Sequence, residues 1–398
     1  PTYPEPYNNF TDTWPMFRHD LSRTGKSLAT APKTSNLLWS THVGGDIYGS
    51  IAVAEGRIIV GAGDDKLYCF SESTGALNWS YQIGAVPGGH GICSTPAIVN
   101  GMVFFGGDDK IYCLNVSTGE KIWATPTGQS QYGADSSPAI VDGKVVVGAG
   151  DRKIYCLNAN NGAVIWTYTT GTGLNGRDYG VCSSPAIAYN RVYLGACDGF
   201  IYCLNLTTGT VVWKYYTGNN VYSSPCIFGG RVYVGTGSYN AGEGSAHKVF
   251  CLDAFGDDAT YTTTLIWEYE TDGNVISSPA VANDKVYIGS LDHTIYCLDA
   301  NGNGMGCTTV IWSYKTDGQI WSSPAIADGK VFVGSQDGYM YCLDANATGG
   351  STAVFWKYPT GSLEGSPAIA YGKVFAGSHT GKIYCFGEST SSIKPSSR

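Results

Sequence analysis

The sequence predicts an all-β fold: an eight-bladed β-propeller of four-stranded antiparallel blades, each with a recurring tryptophan, its ring closed by an N-terminal strand. Three observations predict it. One unit is written eight times at a period of about 45 residues. Each unit divides into four short apolar segments separated by glycine-rich turns, with no helical periodicity between them. The last unit lacks its fourth segment, and an orphan of the missing kind, Leu37-Leu38-Trp39-Ser40, stands before the first.

The full unit reads S-S-P-A-I-x-x-G-x-V-x-x-G-x-x-D-x-x-I-Y-C-L-x-x-x-T-G-x-x-x-W-x-Y-x-T-G. Its marker proline falls at Pro96, Pro138, Pro185, Pro225, Pro279, Pro324 and Pro367, with Ile51 at that place in the first copy. Proline has no N–H to give a ladder, so this first segment belongs at a sheet edge. The second segment, such as Lys144 to Val147, alternates into a Gly-x-x-Asp turn. The third carries consecutive apolar residues, such as Ile154-Tyr155-Cys156-Leu157, and must be covered on both faces. The fourth carries the tryptophan, as in Val164-Ile165-Trp166. Four-stranded units of this length buried on both faces are propeller blades, whereas β-solenoid coils are shorter. The chain divides into an N-terminal extension (1–36), the propeller (37–386) and a Ser-rich C-terminal tail (387–398).

Composition narrows the function. Aromatic residues make up 13% of the chain, which excludes disorder. No stretch approaches the roughly 18 to 20 apolar residues of a membrane helix. A net charge of −8 and a pI near 5.2 argue against a nucleic-acid surface. The numbering opens at Pro1, and a processed, secreted or cell-surface chain is the natural reading. Sequons at Asn9, Asn115, Asn205 and Asn346 would suit such a location; a fifth, at Asn78, sits beside a docking tryptophan and is the poorest acceptor.

The C-x-[DN]-x-x-T-G-x-x-x-W segments resemble the tryptophan-docking motif of the pyrroloquinoline-quinone (PQQ) repeat family, with cysteine where that family usually has alanine. The opening Trp14-Pro15-Met16-Phe17-Arg18-His19-Asp20 with Arg23-Thr24-Gly25 is similar to the start of secreted bacterial and archaeal members. The resemblance spans residues 14 to 386. It implies that Trp39, Trp79, Trp123, Trp166, Trp213, Trp267, Trp312 and Trp356 each pack between the small residue of their own motif and a neighbour's glycine turn. Each buried indole contributes on the order of 2–3 kcal/mol.

The family includes quinoprotein alcohol dehydrogenases and non-catalytic propellers such as the lipoprotein of the outer-membrane barrel assembly machinery. A dehydrogenase would hold PQQ and calcium in the funnel at one mouth of the ring. The residues three before each marker, where inner strands begin, are Tyr48, Cys93, Asp135, Cys182, Tyr222, Ile276, Trp321 and Glu364. Among funnel candidates, Asp135, Glu364, Trp321 and Arg177 could imitate a carboxylate, stacking and anion-binding set. The adjacent cysteine pair that the dehydrogenases place over their cofactor is missing, and short blades leave little room for the insertions that build their site.

The expectation is therefore a non-catalytic extracellular scaffold with no catalytic residue and no resident cofactor. Its partners would be proteins, identical subunits among them, reached through the terminal extensions; Tyr3-Pro4-Glu5-Pro6-Tyr7 is an extended segment suited to docking. A PQQ- and calcium-dependent quinoprotein dehydrogenase is the alternative.

Other polar clusters read as structural. Asp299-Ala300-Asn301-Gly302-Asn303-Gly304 matches D-x-[DN]-x-[DN]-G, which makes Asp299, Asn301 and Asn303 the calcium candidates. Val310 stands where the bidentate glutamate would be, so a plain glycine-rich turn competes. Six histidines show no ligand spacing. Asp64, Asp108, Asp151, Asp198, Asp292 and Asp337 recur four residues before the tyrosine and read as turn residues. Eight of thirteen cysteines occupy one equivalent strand position per blade, too far apart to bridge. Among the other five (Cys93, Cys182, Cys197, Cys226 and Cys307) the sequence leaves one disulfide open.

Overall fold

A computed structural model describes residues 12–85, 91–128, 135–174, 180–238 and 247–388. They form eight antiparallel four-stranded blades, as the repeat requires. Blade 1 consists of Ala52–Ala54, Arg57–Ala62, Lys66–Ser71 and Leu77–Gln82. Blades 2 to 7 repeat this order over residues 97–126, 139–169, 186–216, 226–270, 280–315 and 325–359. Blade 8 takes three strands from residues 368–386 and its outer strand from Leu37–His42. That strand pairs antiparallel with Lys382–Phe386 and sets Trp39 opposite Cys385. The ring is thus closed by chain from both ends, with no blade left short. Among the described residues, no helix is long and apolar enough to cross a membrane.

Each third strand is buried along its central four residues, as in Lys153–Asn158. Its cysteine lies directly across from the tryptophan of the fourth strand: Cys113 from Trp123, Cys203 from Trp213, Cys297 from Trp312. A small apolar side chain there leaves room for the indole. The ring then reaches the next blade. The indole N–H of Trp79 donates to Val116 O at 3.0 Å, that of Trp123 to Ala159 O at 2.9 Å, and that of Trp267 to Ala300 O at 2.9 Å. The docking turn needs glycine. At Gly119 φ is +74°, and a Cβ would lie 2.7 Å from the Trp79 ring. Trp39, Trp166 and Trp213 reach the following blade in the same way, whereas Trp312 and Trp356 dock by packing, their buried indole N–H groups having no hydrogen-bond partner.

The recurring aspartates have a second tie. Tyr68, Tyr112, Tyr155, Tyr202, Tyr296 and Tyr341 each donate their hydroxyl to the aspartate four residues earlier, at 2.5–2.8 Å. Asp151 and Asp198 also accept N–H groups of Gly128 and Gly171 from the preceding blade. The marker prolines sit one residue ahead of the inner strands, not within them; Pro96 precedes Ala97–Val99. The longer turns of blades 6 and 7 are not loose. Gly306–Cys307 adds a short parallel strand beside Trp267, and Gly350–Ser351 adds one beside Trp312, each covering the outer edge of the preceding blade.

Deleting residues 1–45 removes the outer strand of blade 8 and exposes the Lys382–Phe386 edge. Thermal melting should then show global destabilisation; an unchanged Tm would contradict closure.

Candidate functional site

The mouth of the ring is built by the segment that opens every blade. In S-S-P the first serine hydroxyl accepts the N–H of the glycine in the second strand: Ser136 from Gly148 at 3.0 Å, Ser183 from Gly195 at 3.0 Å. The second hydroxyl reaches sideways. The N–H of Ser50 donates to Thr95 Oγ1 at 3.1 Å, and Thr95 in turn to Ser137 Oγ at 2.9 Å. The chain of donors continues through Ser184, Ser224, Ser278, Ser323 and Ser366, and Ser366 donates back to Ser50 Oγ at 2.9 Å. Eight hydrogen bonds thus form a closed belt with one member per blade.

Beyond the belt, residues 12–27 fill the other end of the channel. The repeat arithmetic assigns this segment no role, yet Trp14, Met16, Arg18 and Arg23 are fully buried in it. Its carbonyls cap the inner strands in turn: Trp14 O accepts Val53 N–H, Pro15 O accepts Ile98 N–H, Leu21 O accepts Ile187 N–H and Ser22 O accepts Ile227 N–H, at 2.7–2.8 Å. Thr24 O and Gly25 O do the same for Val281 and Ile326. Arg18 donates to the carbonyls of Pro279 (2.9 Å) and Pro324; Arg23 donates to Pro185 (2.9 Å), Pro138 (3.2 Å) and Ser137 (3.3 Å). Burial lowers the Arg18 guanidinium to about 10 and that of Arg23 to about 9, with Asp20 opposing the shift. Both stay charged at neutral pH. Gly25 is obligatory here: its φ is +64°, and a Cβ would lie 2.1 Å from Arg18 Nη2. The plug closes one end of the ring and sets Phe17 into the lining of the cavity above.

That cavity, about 560 Å³, is the funnel. All eight positions three before the markers line it: Tyr48, Cys93, Asp135, Cys182, Tyr222, Ile276, Trp321 and Glu364. The structure therefore brings Asp135, Trp321 and Glu364 together, while Arg177 and Asn9 lie outside the described residues. Burial raises the Asp135 carboxyl to about 7. Glu364 accepts from Gln336 Nε2 at 2.9 Å and faces His379 Nε2 at 3.4 Å, and this contact raises the His379 imidazole. Trp321 Nε1 donates to Gln319 Oε1 at 3.0 Å. Burial, with the charges of Asp135 and Glu364 adding to it, pushes the Cys93 thiol up.

The other candidates sit elsewhere. Asp299, Asn301 and Asn303 belong to the docking turn that receives Trp267, where Gly302 abuts the indole. Asp299 Oδ1 accepts Asn301 N–H, and Asn303 Oδ1 accepts the N–H groups of Met305 and Cys307. The Arg231 guanidinium approaches Asn301 Oδ1 at 3.4 Å. These oxygens cap the turn. Asn115 and Asn205 cap the corresponding turns of blades 2 and 4 through their side-chain oxygens, and Asn346 is exposed. No disulfide joins any of the thirteen cysteines, and the eight repeated ones are buried. Among the described residues no group of three or more His, Cys, Asp or Glu converges as a metal site.

Together these features define a PQQ-repeat propeller whose axial channel is plugged at one end and opens at the other into an acidic, aromatic funnel. The chain belongs to the family described as outer membrane protein assembly factor BamB, whose model matches residues 23–255 and 247–395. No curated protein matches it. Among solved structures, BamB from Moraxella catarrhalis is similar at 18% identity and a TM-score of 0.67, over 89% of this chain and 99% of that one. A europium-containing methanol dehydrogenase is similar at 15% identity and a TM-score of 0.72, over 96% and 99%. The quinohemoprotein alcohol dehydrogenase of Comamonas testosteroni is similar at 14% identity and a TM-score of 0.74, over 95% and 81%. At these identities the likeness concerns the fold alone.

PQQ, which the dehydrogenase likeness brings with it, fits the described funnel poorly. It is a tricarboxylate, and among the described lining residues no lysine or arginine stands to receive it.

A carboxyl raised on folding destabilises the native state as pH rises. Unfolded, Asp135 loses its proton near 4; folded, near 7. Its contribution therefore falls between those values and is constant above them. Asp135→Asn should raise Tm at pH 8 by up to about 5 °C and leave it nearly unchanged near pH 4. Equal effects at both pH values would contradict the assignment.

Proposed function

We propose that this protein is a non-catalytic extracellular propeller that serves as a binding and assembly scaffold for protein partners. The family assignment supports a role at the cell envelope, and the family is that of an outer membrane protein assembly factor. The observation that carries the reading is the state of the funnel. Its floor is sealed by the plug, and Glu364 is engaged by Gln336 and His379 rather than offered as a general base. What the funnel does offer is a recess lined by Tyr48, Asp135, Tyr222 and Trp321, contributed by alternate blades around the ring. That chemistry suits a basic side chain presented by a partner, held over aromatic faces and matched by a carboxylate. The terminal extensions supply a second route, self-association; the described chain begins at Asp12, which accepts the Tyr371 N–H of blade 8.

Adding PQQ and calcium should give neither quinone absorbance on the protein nor dye-linked alcohol oxidation; stoichiometric cofactor binding with turnover would establish the dehydrogenase instead. Light scattering of the full chain against one lacking residues 1–11 tests self-association. A larger mass for the full chain alone supports it, and a monomer in both ends it.

A further inference from the structure

The funnel wall of blade 4 carries two thiols across one hairpin. Its inner and second strands pair Ala186 with Tyr193. Four residues further toward the mouth on each side stand Cys182 and Cys197. The same two positions in blade 8, four residues beyond the Ala368–Phe375 pair, hold Glu364 and His379. Those side chains meet at 3.4 Å, so side chains at this pair of positions can touch. In blade 4 they do, and the Cys182 thiol hydrogen-bonds Cys197. Blades 1, 3 and 5 have glycine at the Cys197 position (Gly63, Gly150 and Gly237). A cysteine replaces that small residue in the blade whose opposite position is also cysteine.

We propose that Cys182 and Cys197 are a disulfide-forming pair, a modification site on the funnel wall distinct from the eight structural cysteines of the repeat. Cys182 is half-buried and lines the funnel, where a small disulfide can meet it; Cys197 lies behind it, 1% exposed. The oxidant is a low-molecular-weight disulfide. The Cys182 thiol gives up its proton, and its sulfur attacks the reagent, forming a mixed disulfide and expelling one thiolate. The Cys197 sulfur, likewise deprotonated, then attacks the Cys182 sulfur and expels the second. The two protons end on the two released thiols: two protein thiols are oxidised and one reagent disulfide is reduced. Cys93, the other thiol of the mouth, opens blade 2 and has the whole of blade 3 between it and Cys182. It is not the partner. The bond would staple the start of blade 4's inner strand to the end of its second strand and remove a thiol from the funnel lining.

Peptide mapping tests this on the full chain. The protein is incubated at pH 8 with excess oxidised glutathione, its remaining thiols are alkylated, and it is digested with trypsin without reduction. Cleavage after Arg191 places Cys182 and Cys197 on separate peptides. The expected product is those two peptides joined, two hydrogens lighter than their sum and separated by reductant, with fragmentation locating the link at Cys197 rather than Cys203. The repeated cysteines should alkylate only after denaturation. Cys203→Ser should keep the link, and Cys197→Ser should leave Cys182 as a glutathione adduct. Wild-type protein that yields only the glutathione adduct at Cys182, or a link from Cys182 to Cys93, overturns the proposal, and this arm does not depend on how either variant folds.

Discussion

Eight inner strands converge on one axis, and their backbone N–H and C=O groups on the axial side have no further strand to pair with. A buried polar group left without a partner costs roughly 1–3 kcal/mol, and the problem recurs once per blade. The serine belt answers it at the mouth, where each second hydroxyl accepts an N–H from the preceding blade until Ser366 returns to Ser50. The plug answers it at the other end, with carbonyls for the strand N–H groups and two guanidinium groups for the proline carbonyls. Arginine suits that task because its five donors are fixed in a fork and its charge survives burial. Tryptophan docking holds the rim of each blade to the next; the belt and plug hold the centre.

This arrangement separates frame from function. Positions that face the belt or the docking turn are nearly the same in every copy, because each meets the same neighbour. The position three before the marker lines the funnel, and it takes six residue types in eight blades, from Ile276 to Glu364. The lining can therefore be varied one blade at a time without disturbing the ring.

How much of this was legible follows from periodicity. Blade number, strand order, ring closure by Trp39 and the eight funnel positions are all carried by residues that recur, and the structure places them as the repeat requires. The belt was legible in principle, since a hydroxyl precedes every marker proline, and Ile51 as well. The plug was not. It is a single segment serving many blades, so Phe17, Arg18 and Arg23 have no period, and the partners of the two arginines are backbone carbonyls 6 to 306 residues away. The turn at 299–304 was legible only in part. A turn that docks a tryptophan and a loop that cradles a cation draw on the same short oxygen-bearing side chains and αL glycines, and spelling alone does not separate them.

If the plug is what completes the inner strands, their capped amides must be among the last to open. Native-state hydrogen exchange at the N–H groups of Ile98, Ile187, Ile227, Val281 and Ile326 measures this directly. The account predicts that all five exchange only through global unfolding, with the same free energy and denaturant dependence as the central strands. Exchange of these amides through a low-energy local opening, while the third strands stay protected, would contradict it.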